Sequence, residues 1–476
     1  MKALRNPPLY PRNPFRHMDP ASRLRYIFQT LAFLIFSISI FLAGGVALKY
    51  TALGSSWSLT VPKLFGTHAH YQPHYQHVRV VGAKAGINHV TGSLPPRLEL
   101  SEFTKSAYGV DLYLQCHLEL LNKDASDKLS YYQIAAIHGG PYKPWDNVTG
   151  NTTFPSGYAT HRSVLFPVWH RPYLALFEQV ISECAVKLAY EYDEDVRVAY
   201  QDAANVLRIP YWDWAAKPWL PDIVAMPFRI VQTPRGPVNM SNPLYRYTFP
   251  DGTIEGLRAA ASIHKEDPII WTTGATMRCP QLADHNQTVS DQLRALNTTL
   301  KTYQLFTEIG GDYEHFASIG YWDVHHRISL ENVHNAIHLA VGTEMIIEEG
   351  AEWARSHLCG HMGSDFASFD PLFFLHHANI DRIFALWQAV FPDSYVTPQI
   401  SDLGTYLRPA NLTDTIDTPL YPFFGEDRRT PYTAETARNV STFGYTYPEL
   451  LDLTMSPSEL KEHVLQAVSN LYDQDA

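Results

Sequence analysis

Two groups of histidines, about 160 residues apart, constrain this chain more than any other feature. The first holds His138 in Ile-His138-Gly-Gly-Pro-Tyr, then His161 and His170 in His161-Arg-Ser-Val-Leu-Phe-Pro-Val-Trp-His170-Arg171. The second holds His334-Asn-Ala-Ile-His338, followed by Asp370-Pro-Leu-Phe-Phe-Leu-His376-His377-Ala-Asn-Ile-Asp381. On a helix, His334 and His338 would project from one face within about 5–6 Å of each other. Taken alone that pair is a weak signal, because two polar residues on an exposed helix face have the same spacing. His161 and His170 flank Phe-Pro-Val-Trp, which puts one on a loop and the other on the helix that follows. Three imidazoles from each group would make two neighbouring all-nitrogen metal sites. Imidazole suits copper, and three neutral donors leave each ion open positions, so the pattern fits a copper pair that binds dioxygen between the ions.

The rest of the chain can support such a centre. Its 476 residues are 45% hydrophobic and only 18% charged, the balance of a folded protein, and the length allows two or three domains. A net charge of −11 argues against a nucleic-acid partner, which needs a basic footprint. The charge is uneven: residues 1–48 hold six cations against Asp19, or 6 − 1 = +5, leaving −11 − 5 = −16 for the remainder. That basic end precedes a 23-residue run without formal charge, Tyr26 to Leu48. About 20 apolar residues span a bilayer, and cations before the span keep the N-terminus cytoplasmic. The expected order is a basic cytoplasmic tail (1–25), a transmembrane signal-anchor (26–48), a stem (49–75), a catalytic domain (76–455) and a C-terminal tail (456–476). A cleaved signal peptide is the competing reading; its apolar region is usually shorter, but Gly45-Val-Ala47 leaves cleavage and secretion open.

All seven glycosylation sequons follow the anchor: Asn147, Asn151, Asn239, Asn286, Asn297, Asn411 and Asn439. The same side holds Cys116, Cys184, Cys279 and Cys359, which allow two disulfides in any of three connectivities, or buried thiols. Alternation predicts a strand over 77–81, and periodicity predicts a helix over 101–121 with Ser101 as N-cap. Further helices are expected over 127–137, from Pro167 past Glu178, through His334 and His338, and from Pro371 through His377. Residues 205–320 are rich in Pro, Asn and Thr and low in helical pattern. The expected fold is mainly α: an antiparallel four-helix bundle holding a dicopper centre, with long irregular loops, a few short strands and an N-terminal transmembrane helix.

Two longer motifs sharpen the reading. His161-x4-Phe166-Pro167-x-Trp169-His170-Arg171-x2-Leu174-x3-Glu178 and Asp370-Pro371-x-Phe373-x3-His377-x3-Asp381 both match signatures of type 3 copper proteins. The chain thus resembles the tyrosinase family, its fungal members in particular, from His77 to Leu450. The resemblance implies one copper held by His138, His161 and His170 and a second held by His334, His338 and His377. His376, His325 and His326 fall outside that pattern. It further implies O2 as co-substrate and oxidation of o-diphenols to o-quinones, with monophenol hydroxylation aided by a water held between Glu331 and Asn335. The substrate would be a small phenol or a tyrosine-containing molecule in fungal pigment or secondary-metabolite biosynthesis. A catechol oxidase without monophenolase activity, or a haemocyanin-like oxygen binder, are the alternatives. Asp381, Arg171 and Glu178 either orient ligand histidines or form an ion pair that ties bundle helices together. The family's Tyr445-Thr-Tyr447-Pro motif is expected to pack near Arg97. Two departures stand out: Ala159 replaces the cysteine that many fungal relatives cross-link to a ligand histidine, and no C-terminal plug domain is expected.

Overall fold

Side-chain caps and prolines set where the helices begin. The computed structural model describes residues 75–150, 156–262, 271, 273–279, 285–319, 328–346 and 355–473. Helix α1 (Ala107–Asn122) starts at Ser106, whose hydroxyl accepts the Gly109 N–H. Helix α2 (Tyr131–His138) starts at Ser130, which accepts from Gln133. Helix α3 (Phe166–Ala189) has Pro167 in its first turn, where a missing N–H breaks no intrahelical bond. Ser329 caps α4 (Leu330–Gly342), and Asp370 accepts the Leu372 N–H at the start of α5 (Leu372–Val390). A capping box of Ser456 and Glu459 opens α6 (Pro457–Tyr472).

Two of these helices are buried on every side. Each residue of α3 from Phe166 to Ser182 is buried, as is each residue of α5 from Leu372 to Trp387. A helix covered all round lies at the centre of a large domain. Helix α1 packs on α3, α3 on α5, and α4 against both α3 and α5. Phe177 and Phe374 join α3 to α5 as stacked rings 3.8 Å apart, and the Cys116–Cys184 disulfide joins α1 to α3. The second disulfide is Cys279–Cys359. The described strands form four antiparallel two-stranded pairs: β1 (Phe228–Thr233) with β2 (Gly236–Ser241), β3 (Thr343–Ile346) with β4 (Arg355–Leu358), β5 (Gln399–Ser401) with β6 (Leu412–Asp414), and β7 (Pro419–Phe424) with β8 (Pro431–Thr433). The fold is mainly helical with a few short strands.

Several expectations change. The helix expected over 101–121 is broken: a short turn, Leu100–Phe103, ends before α1, so Ser106 rather than Ser101 caps the long helix. Glu99 accepts the Ser101 N–H, and two caps so close together start two helices. The strand expected over 77–81 is reduced to one bridge, Arg79 to Phe424. The stretch 205–320 holds the β1–β2 hairpin and helices at Ile254–Ala261, His285–Ala295, Thr298–Thr307 and Tyr313–Ala317. The segment read as a C-terminal tail continues the packed fold as α6, with Val464, Val468 and Tyr472 buried. Among the described residues no helix is long and apolar enough to cross a membrane. The expected transmembrane segment, His325, His326 and Asn151 lie outside the described residues.

Candidate metal centre

Backbone contacts bring the first three histidines together. His138 ends α2, and its carbonyl accepts the Ala159 N–H at 3.3 Å while Ile137 accepts that of Tyr158 at 3.1 Å. A Cβ on Gly157 would lie 1.9 Å from the His138 carbonyl oxygen, so only glycine lets the His161 loop approach this helix end. On its far side that loop is tied to α4, where Glu331 Oε1 accepts the Arg162 N–H at 2.6 Å. His170 stands one turn into α3 and donates Nδ1–H to the Phe166 carbonyl at 2.7 Å, which leaves Nε2 as the lone-pair nitrogen. Ligand nitrogens of His138, His161 and His170 lie within 4.8 Å of one another.

The second group is tighter. His334 Nδ1 donates to Asn335 Oδ1 at 2.9 Å, and His338 Nδ1 donates to the Met362 carbonyl at 2.7 Å. Their Nε2 atoms therefore carry lone pairs, yet they sit 2.9 Å from each other and 3.1 and 3.3 Å from Nε2 of His377. Lone pairs at that range repel unless a cation lies among them. An ion about 2 Å from each nitrogen, an ordinary imidazole–metal distance, fits this triangle. The His170 and His377 rings stack with centroids 4.6 Å apart, so the two groups are adjacent.

Burial makes all six imidazoles good ligands at neutral pH. Loss of solvation, reinforced for five of them by the other histidines, lowers every one: His161 and His338 to about 4, the other four well below the ordinary imidazole value. Nε2 of His170 and both ring nitrogens of His138 are buried without a hydrogen-bond partner among the described residues. Buried polar atoms are rarely left so, and a metal would supply one partner to each ring. His376, set aside on its sequence position, is drawn into the second group, within the same 4.8 Å. Its ring stacks on that of His334 with centroids 5.1 Å apart, but it takes no part in the Nε2 triangle.

A cavity of about 430 Å³ opens onto the groups, lined by His138, His161, His334 and His338 and by Asn335, Leu339, Met362, Ser364, Asp365 and Leu403. Leu339 is 40% exposed at its mouth. Glu331, one turn before Asn335 on α4, is 1% exposed and accepts from Arg162 N, Ile319 N and the Ser318 hydroxyl. Burial pushes its carboxyl up to about 7, against the pull of these donors.

Asp381, Arg171 and Glu178 touch no ligand histidine through hydrogen bonds. Asp381 accepts from Arg171 at 2.7 Å, Arg97 at 3.2 Å, Tyr445 at 2.6 Å and Tyr447 at 2.7 Å, while Glu178 accepts from Arg97 at 2.9 Å. The ion-pair reading holds for these three, and the Tyr445–Tyr447 motif packs on Arg97 as expected, with the guanidinium 3.6 Å above the Tyr445 ring. The groups that do orient ligand rings are backbone carbonyls, Phe166 and Met362, together with Asn335. Met362 carried no sequence signal, because any residue could supply its carbonyl.

The family model described as the common central domain of tyrosinase matches residues 128–390. The chain belongs to the tyrosinase family. It is 33% identical to a tyrosinase of Podospora anserina over 412 residues, covering 80% of this chain and 67% of that protein. It is 31% identical to a tyrosinase of Neurospora crassa over 410 residues, covering 80% of this chain and 56% of that protein. Its fold matches a crystal structure of mushroom tyrosinase with a TM-score of 0.70 and 29% identity, covering 83% of this chain and 98% of that one. The chain thus spans about two thirds of the first relative and just over half of the second.

Proposed function

We propose that this tyrosinase-family protein is a copper-dependent phenol oxidase that uses O2 to convert o-diphenols to o-quinones and also hydroxylates monophenols. The observation that carries the reading is the meeting of two adjacent groups of neutral imidazole nitrogens at the floor of one open cavity. His138, His161 and His170 hold one copper, and His334, His338 and His377 hold the other. When bound, the copper pair would supply the site for O2, which is the oxidant. An oxygen carrier is the weaker reading, because this cavity opens to solvent and has room for a phenol ring.

Leu339, Leu403 and Met362 give the ring an apolar bed, while Asn335 and Ser364 offer polar contacts at its edge. Hydroxylation requires the phenol to lose its proton first. A buried carboxyl pushed up to about 7 is poised between its two forms at neutral pH, as a general base needs. A carboxylate has roughly four acceptor positions; Glu331 uses three on Arg162, Ser318 and Ile319, so one remains for a water shared with Asn335. Replacing Glu331 by Gln is expected to lower monophenol turnover about 100-fold, the low end of general-base effects, and catechol turnover far less. Equal loss on both substrates would remove the base role and leave a catechol oxidase.

The active domain faces the secretory lumen or the outside, held by the 26–48 segment. Two disulfides suit an oxidising compartment. Asn147, Asn239, Asn297, Asn411 and Asn439 are all exposed, as glycan acceptors must be. Pigment or secondary-metabolite phenols, free or peptide-linked, are the substrate class. Detecting residues 1–25 on the membrane-extracted protein tests the anchor; a mature N-terminus beyond Leu48 would replace it with secretion.

A further inference from the structure

One short segment contacts the end of α4, the turn that holds Met362 and the start of α5, all of which serve the second histidine group. Cys279 N–H donates to the Val341 carbonyl near the end of α4, at 2.9 Å, and its sulfur is bonded to Cys359. Met277 N–H donates to Nδ1 of His361 at 3.0 Å, and the Met277 carbonyl accepts the His361 N–H at 2.9 Å. His361 precedes Met362, whose carbonyl takes the Nδ1–H of His338. Arg278 makes a bidentate pair with Asp370 at 2.7 and 2.9 Å, and Asp370 caps the helix that carries His377. The Arg278 guanidinium also donates to the Val224 and Leu244 carbonyls, both at 2.8 Å, which ties it to the surrounding fold.

The approach is backbone to backbone. A Cβ on Gly360 would lie 2.8 Å from the Met277 oxygen and 3.1 Å from the Cys279 sulfur, and one on Gly342 would lie 1.8 Å from the Gly363 nitrogen. The 359–363 turn is thus clamped between Met277–Cys279 and the end of α4, which fixes the Met362 carbonyl at one place. That carbonyl selects the tautomer in which Nε2 of His338 faces the metal.

We propose that Met277–Arg278–Cys279, with its disulfide to Cys359, is a positioning brace for the second copper. It acts through His338 and His377 without touching the ion. This rests on the reading that His334, His338 and His377 hold that copper.

The protein carries its own control, because the Cys116–Cys184 disulfide joins α1 to α3 and touches none of these supports. Copper per chain is measured by elemental analysis after dialysis of the loaded full-length protein against a copper chelator. The wild type and the Cys116→Ser/Cys184→Ser variant are expected to keep both ions, and Cys279→Ser/Cys359→Ser to lose one of the two. Retention of both ions by the last variant, or equal loss from both variants, would overturn the brace. A wild type that takes up fewer than two ions would overturn the underlying site reading instead. Should Cys279→Ser/Cys359→Ser fail to fold, His361→Phe keeps an aromatic ring there and removes the acceptor for Met277 N–H. Its weaker copper site is expected to lose about tenfold in affinity, the low end for groups that orient a ligand, with the other site unchanged. Unchanged affinity at both sites, or equal loss at both, rejects the proposal.

Discussion

At the scale of single residues, Asp381 shows what a buried charge does in this fold. Its two oxygens accept from Arg97, Arg171, Tyr445 and Tyr447, and the arginines beside it hold its carboxyl below the usual carboxylate range despite burial. Replacing it by Asn leaves buried Arg171 without a carboxylate partner and Arg97 with Glu178 alone, and breaking a buried pair typically costs about 3–5 kcal/mol. Denaturant unfolding of Asp381→Asn should show that loss, while copper per chain in the cold stays at the wild-type value. A drop in copper with stability unchanged would instead make Asp381 an orienting group for the histidines. His117 argues the opposite case, a titratable group with nothing to pair with. Both ring nitrogens are buried without a partner among the described residues, packed against Tyr113, Tyr131 and Phe177, and burial lowers its pKa to about 3. Since the folded value lies below the unfolded one, the unfolded chain takes the proton first as pH falls. Stability is therefore lost from about pH 6.5 downwards. At pH 5 the single-group linkage is about 2 kcal/mol. His117→Phe should reduce the drop in stability between pH 7 and pH 5 by about that amount; an unchanged drop would count against a neutral buried ring.

At the scale of elements, α6 carries more of the fold than its sequence announces. Leu460, Val464, Val468 and Tyr472 recur every four residues, a helical stripe, but Leu465, Ala467 and Leu471 lie off that stripe and blur it. Its last turn sets Tyr472 OH against Asp213 at 2.8 Å, where it also accepts from Arg382 at 2.8 Å. Burying three apolar side chains at about 1.5–3 kcal/mol each is worth on the order of 5 kcal/mol or more, a large part of a typical domain's stability. A chain ended at residue 455 should therefore melt far below the full-length protein when followed by circular dichroism; an unshifted melt would make α6 an appendage. Elsewhere legibility followed local chemistry. Pro167, Pro371 and the histidine spacing marked α3, α4 and α5 because caps and ligands are local signals. The helices within 205–320 were hidden by Pro, Asn and Thr, and the Met277–Cys279 brace by its reliance on backbone atoms and distant partners. Burial on every side of α3 and α5 also removes the two-faced pattern that sequence reading depends on.

At the scale of the whole molecule, residues far apart in sequence are held to one point by contacts that copper does not make, yet the point itself is unfavourable without it. His334 and His338 direct lone pairs at each other beside Nε2 of His377, and the six imidazoles are kept neutral by burial. A metal that binds only the folded chain stabilises it by mass action, about 4 kcal/mol when free copper exceeds the dissociation constant a thousandfold. Removing copper should therefore lower the unfolding temperature, and the gap between loaded and copper-free protein should depend on pH. Without metal, His161 and His338 have folded values of about 4 against about 6.5 unfolded, so they contribute nothing unfavourable above pH 6.5 and progressively destabilise the fold below it. With metal, those nitrogens are occupied and protons must compete for them. Between pH 7 and pH 5 both forms should lose stability alike, because the unfolded chain takes up the same protons in each. Towards pH 4 protons begin to compete for the folded histidines, so the stability gap between loaded and copper-free protein should narrow, the two being compared by thermal melts at matched buffer and salt. A gap that stays constant through pH 4 would mean that the histidine nitrogens do not hold the metal.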